Sequence, residues 1–162
     1  MIALKNVLVA TDFGDASVTA LKYGRELARR FGAVLHVLHV SDDVGVRLMT
    51  SSGLPYDVSG LQSEIESTDR TLLDAAVPAA DRSEIKVEIV QLTSTLPAHA
   101  IVSYAREARV DLIVIGTHGR GPVAHLLLGS VAERVVRTAP CPVLTVRHPE
   151  HEFITPEAKS EV

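Results

Sequence analysis

The chain has 162 residues, a formal net charge of −4, 46% hydrophobic and 22% charged residues, no Trp and one cysteine. That length suits a single domain able to bury a core without disulfides, and Cys141 alone can make no intrachain disulfide. The acidic balance disfavours a sequence-independent nucleic-acid binder, which needs a basic stripe; no window approaches the ~18 apolar residues of a membrane span and the first residues lack a secretory-signal pattern, so the expectations are cytoplasm, no nucleic acid and no membrane.

From the N-terminus, Val7 to Ala10 is the first of five short apolar runs of strand length. A helical stripe of Val18, Leu21, Ala28 and Phe31 follows. The second run, Ala33 to Val40, leads into Ser41 to Gly60, which is long for a loop and is expected to be functional, mobile or partly helical. Leu61, Ile65, Thr68, Leu72 and Ala76 make the next helical stripe, before the third run, Val87 to Val90. Ile101, Val102, Ala105 and Ala108 share a further helix face, Leu112 to Ile115 is the fourth run, Val131, Val135 and Val136 mark the last helix, and Val143 to Val146 is the fifth run. His148 to Val162 is acidic, carries Pro149 and Pro156, and is expected to be a poorly ordered tail. The predicted organisation is one domain over residues 1–147 and a tail over 148–162.

Strands alternating with helices imply an α/β fold with a parallel sheet, right-handed crossovers and helices on both faces. The first and fourth runs are almost wholly apolar, as in central strands buried on both sides. The third alternates as Lys86-Val-Glu-Ile-Val90 and the fifth contains Thr145, so both read as edges. The order 3-2-1-4-5 satisfies this pattern. The winding then reverses between strands 1 and 4, and ligands in such sheets sit there, beyond the C-terminal strand ends.

Gly116 follows the fourth strand directly, Gly119 comes three residues later, and Gly129-Ser130 opens the last helix. Glycines leave no Cβ between backbone and ligand, and successive N–H groups can turn toward one anion. Ser130 with Glu133 reads as a capping box, and a helix start directs free amides and its positive dipole end at a phosphate. Glycine spacing alone is as compatible with an ordinary Gly-rich turn; the position after a central strand favours the phosphate site.

This segment, G-x2-G-x9-G-S followed by Val131-Ala-Glu-Arg-Val-Val-Arg137 and Pro140-Cys-Pro-Val-Leu144, resembles the universal stress protein family in its nucleotide-binding form. Asn6-Val-Leu-Val-Ala-Thr-Asp12-Phe and Asp111-Leu-Ile-Val-Ile-Gly116 resemble it too, so the likeness spans Met1 to Arg147. It implies a Rossmann-like domain of five parallel strands, similar to adenine nucleotide alpha hydrolases, forming a homodimer through Val143–Val146. It also implies ATP, ADP or AMP, with Mg2+ carried by the nucleotide. Phosphates would lie on Gly119, Gly129 and Ser130, the ribose near Gly116, adenosine against Asp12, and adenine at the backbone of Val40; Thr11, Arg120 and Val131 complete the expected site. Gly14, where the family commonly has a small polar residue, and Pro122 depart from its pattern.

Asp12 could instead cap the following helix; contact with the ligand is the reading preferred for it, and capping for Asp15. Arg120 could screen phosphate charge, and no second group supports His118 as an acid or base. His36 and His39, three apart in a strand, point to opposite faces, and no dedicated metal site is expected. Cys141 reads as a small core residue entering the fifth strand. The Walker lysine and the G-x-G-x-x-G of a dinucleotide fold are both missing. The reading is an ATP-binding stress-response module acting through an unknown regulatory partner, without assigned catalytic residues; the alternative is a slow ATPase or a protein that phosphorylates itself at Ser130 or Thr117.

Overall fold

The β-branched runs pair as one parallel sheet of β1 (Asn6–Ala10), β2 (Val34–Ser41), β3 (Val87–Thr93), β4 (Leu112–Gly116) and β5 (Val143–Val146), in the order β3-β2-β1-β4-β5. The computed structural model describes residues 1–55, 57–117 and 129–148. The expected strand order is the observed one, with β3 and β5 at the edges. β3 runs past its apolar stretch because Gln91, Leu92 and Thr93 pair with His39, Val40 and Ser41.

The two-residue period of the strands divides their side chains between two cores. Val7, Val9, Leu35, Val37 and Val114 face one layer, which α1 (Asp15–Phe31) and α3 (Ser59–Ala76) cover. Leu8, Ala10, Leu38, Ile113 and Ile115 face the other, which α5 (Pro97–Glu107) and α6 (Ser130–Thr138) cover. Two shorter helices, α2 (Val44–Ser52) and α4 (Ala79–Glu84), lie in the connections. α2 occupies part of the long Ser41–Gly60 stretch, and the Asp43 carboxylate starts it by accepting from the Val46 amide at 2.9 Å.

Two helix faces differ from the apolar stripes expected for them. In α1, Leu21 and Ala28 are buried, but Val18 is 51% exposed and Phe31 43% exposed. The inner face is Ser17, Ala20, Leu21, Gly24 and Ala28. A Cβ on Gly24 would stand 2.2 Å from a methyl of Val9, so small residues, not large ones, face β1. In α3, Leu61 and Leu72 are exposed and Leu73 is buried. Its polar inner residues serve the ends of the neighbouring elements: Gln62 binds the Asp42 carbonyl and the Val44 amide, Glu66 accepts from Thr93 at 2.7 Å, and Asp69 meets His39.

Candidate functional site

β1 and β4 run side by side, yet the chain leaves them toward opposite faces, to α1 and to α6. The resulting crevice holds a cavity of about 360 Å³, a size typical of small-molecule sites. Ala10, Leu38 and Ile115 give it an apolar floor; Val40, Pro97 and Ile101 close the side toward β2; Gly116, Gly129, Ser130 and Val131 form the side toward β4. Of the expected site residues, Thr11, Asp12, Val40, Gly116, Gly129, Ser130 and Val131 all line this one space. Gly119 and Arg120 lie outside the described residues, as do His118, Gly121 and Pro122.

The β4 side is built from backbone. Thr117 donates its amide to the Val146 carbonyl at 2.8 Å and accepts the Gly129 amide at 2.7 Å, so the two ends of the glycine-spaced segment are tied together. A Cβ on Gly116 would stand 2.8 Å from the carbonyl carbon of Ala16 and 2.9 Å from the Ser17 nitrogen. Close packing against the start of α1 therefore requires glycine there, independently of any ligand.

The capping box expected of Ser130 and Glu133 is not formed. Gly129 is the N-cap, in extended conformation, and Ser130 is the first helical residue with no side-chain cap bond. Glu133 instead pairs with Arg137 at 2.9 Å, and its amide makes the first helical bond, to Gly129. The amides of Ser130, Val131 and Ala132 thus have no acceptor among the described residues, and all three residues line the cavity. Free amides at the positive end of a helix dipole can receive an anion there.

The β1 side is built from side chains bonded to one another. Thr11 Oγ1 lies 3.1 Å from Ser17 Oγ and accepts the Phe13 amide at 3.0 Å. Asp12 Oδ1 accepts the Gly14 amide at 2.9 Å. Asp15, expected to cap α1, is its first helical residue; Gly14 is the N-cap, so Asp15 acts only through the helix dipole. Phe13 adopts φ of +64°, a strained value for an aromatic residue. Beneath it lies His39, ring centroids 4.4 Å apart. His39 Nδ1 is 2.8 Å from the Thr11 carbonyl oxygen, and Nε2 is 3.2 Å from the Asp69 carboxylate.

The two histidines of β2 do face opposite ways. His36 Nδ1 reaches the Tyr104 hydroxyl on α5 at 2.8 Å, and Nε2 reaches Asn6 Oδ1 at 3.3 Å. Burial pulls the His36 pKa below the ordinary imidazole value and pushes Tyr104 up. Cys141 is half-buried against the α5–α6 core, and burial raises its thiol pKa. Sequence reasoning missed Ser17, His39, Pro97 and Ile101 at the cavity. Pro97 and Ile101 open the helix after β3, and the rule that ligands gather beyond C-terminal strand ends would have pointed to them.

A doubly wound parallel sheet with a cavity at its winding reversal, beside a helix start whose first amides have no acceptor among the described residues, defines a Rossmann-like α/β domain with a candidate small-molecule site. The family model of the universal stress protein family matches residues 3–147, and the chain belongs to that family. It is 34% identical over 150 residues to a universal stress protein of Methanocaldococcus jannaschii, covering 91% of this chain and 85% of that one. Among solved structures, it is similar to the universal stress protein UspA from Lactobacillus plantarum (26% identity, TM-score 0.71, 91% of this chain and 100% of that one). It is also similar to a universal stress protein from Archaeoglobus fulgidus in complex with dAMP (27% identity, TM-score 0.58, 90% of this chain and 99% of that one).

Proposed function

We propose that this chain binds an adenine nucleotide in the cavity between β1 and β4. The observation that carries the reading is the start of α6, where three amides with no acceptor among the described residues border the cavity immediately after Gly129. Phosphates would bind those amides together with Gly119, Arg120 acting as counter-charge and Mg2+ arriving with ATP. The ribose would lie between Gly116 and Asp12, near Thr11, and adenine would stack on the apolar floor with its edge at the backbone of Val40. The dAMP complex of the Archaeoglobus fulgidus relative supports an adenine nucleotide over other anions.

Among the described cavity residues the only ionisable side chains are Asp12 and His39, and each is already hydrogen-bonded within the chain. That supports binding over hydrolysis. The role that follows is regulatory, in the cytoplasm: nucleotide shifts a conformational equilibrium by binding one state more tightly, in a homodimer joined through the edge strand β5, with residues 1–147 as the domain and the acidic tail outside it. Calorimetric titration with ATP, ADP and AMP, with and without Mg2+, tests this; saturable binding is expected, and heat of dilution alone would overturn it. Phosphate release that Gly119→Val abolishes would instead favour slow ATP hydrolysis.

A further inference from the structure

We propose that His39 and Asp69 form a protonation-dependent latch on the Thr11–Gly14 turn, and through it on Asp12. The starting point is Phe13, a non-glycine residue with φ of +64° placed directly after a cavity residue. Such strain persists only where the surroundings hold it. The Phe13 amide is held by Thr11 Oγ1, its ring lies on His39, and the Thr11 carbonyl is held by His39 Nδ1 at 2.8 Å. The imidazole is therefore the support of the turn from below.

Its two partners are both acceptors. The Thr11 carbonyl can only accept, and so can the ionised Asp69 carboxylate, 3.2 Å from Nε2. A neutral imidazole donates through one nitrogen; an imidazolium donates through both. The bonding pattern is thus complete only in the protonated ring. Side chains that are 12% and 18% exposed leave little room for water to substitute. On deprotonation the charge-assisted bond to Asp69 is the stronger of the two, so the Thr11 carbonyl is released. The turn then loses its support, and Asp12 loses its fixed place at the cavity.

Other groups around the ring do not compete for this role. From α3, Glu66 is bonded to Gln62 and Thr93. β3 places the uncharged Gln91 opposite His39, and its amide is donated to Ser41 and the Glu66 carbonyl. In the turn itself, the Asp12 carboxylate is directed onto the Gly14 amide. Asp69 is the one charged side chain paired with His39 among the described residues.

The consequence for ligand affinity rests on the nucleotide reading; the latch itself does not. Asp69→Asn separates the two protonation states, because an asparagine amide can donate to a neutral Nε2 and leave Nδ1–H on the Thr11 carbonyl at every pH. The experiment follows the Asp12, Phe13 and Gly14 amide resonances of the free protein from pH 6 to 8, alongside titration with cyclic AMP, whose phosphodiester keeps a constant charge there. In the wild type these resonances should shift with pH, and affinity should fall about three- to tenfold as pH rises, the loss of one supporting hydrogen bond. In Asp69→Asn both should be flat, with affinity at pH 8 above that of the wild type. Stationary resonances in the wild type, or a pH response that survives in Asp69→Asn, would overturn the latch. Resonances that respond while cyclic AMP binds at no pH would overturn the nucleotide reading and leave the latch standing.

Discussion

At the β1–α1 turn, Thr11 and one oxygen of Asp12 are bonded to the chain itself, as is His39 of β2 beneath them, in bonds of 2.8 to 3.2 Å. Across the cavity, at the start of α6, three backbone amides have no acceptor among the described residues. One wall is held mostly by bonds within the chain; the other leaves backbone donors with no acceptor among the described residues. A buried polar group without a partner costs about 1–3 kcal/mol, so an amide left open at a helix start is retained where water or a ligand completes it. Residues that line one cavity thus divide the work between them. In the proposed site the β1 wall would set geometry and the α6 wall would supply attraction for phosphate.

The largest effect is expected from moving the two walls relative to one another. Gly116→Ala drives a methyl into the Ala16 backbone, which cannot give as a flexible side chain would; a loss of about 1–3 kcal/mol in stability is expected from urea unfolding, with weaker nucleotide binding alongside. A loss of binding at unchanged stability would show that Gly116 serves the ligand alone.

The α6 wall can be tested without touching the fold. Ser130 is the first helical residue, where proline is tolerated, and Gly129 already has the extended conformation that a following proline demands, at φ −58° and ψ 145°. Ser130→Pro removes one amide from the site. Nucleotide affinity should fall about tenfold in calorimetric titration, while the unfolding midpoint stays close to that of the wild type. Unchanged affinity would mean that the phosphates do not use this amide.

A control lies on the opposite face of β2. His36, unlike His39, has one donor and one acceptor available in its neutral form, from Asn6 Oδ1 and the Tyr104 hydroxyl. Its pKa is lowered in the fold, so the unfolded chain takes up the proton first on acidification. The stability it contributes is complete above the ordinary value of about 6.5 and is lost as pH falls through the lower folded value. Urea unfolding at neutral and mildly acidic pH should show a smaller acid-side loss in His36→Gln than in the wild type; equal losses would contradict the assignment.

The smallest effect concerns the helix cap. Because Gly129 and not Ser130 caps α6, Ser130→Ala should cost less than about 0.5 kcal/mol, against the ~1 kcal/mol of a true serine cap. A larger loss by thermal unfolding would restore the capping box.

Much of this was legible in the sequence. Strand order followed from which runs were wholly apolar and which alternated, since burial on both faces leaves no place for polar residues. Gly116, Gly129 and Ser130 stand out by their positions after a central strand and at a helix start, Asp12 and Val40 through the resemblance to the universal stress protein family, and all five line the cavity. What was not legible shares a cause: packing selects by size and partner, and not by apolarity alone. α1 turns its small residues inward because it lies against Val9, and α3 turns Gln62, Glu66 and Asp69 inward because strand ends present polar groups to them. His39 was missed because its significance depends on Asp69, thirty residues away in sequence, and on a positive φ that no residue preference at Phe13 announces.

Whether the cavity holds an adenine nucleotide is decided by denaturing the purified protein and identifying what it releases by chromatography and mass spectrometry, with titration of the emptied protein as the quantitative arm. AMP, ADP or ATP is expected in the released fraction, or saturable rebinding of one of them that Ser130→Pro weakens. No nucleotide released and none bound on titration would contradict the proposed site.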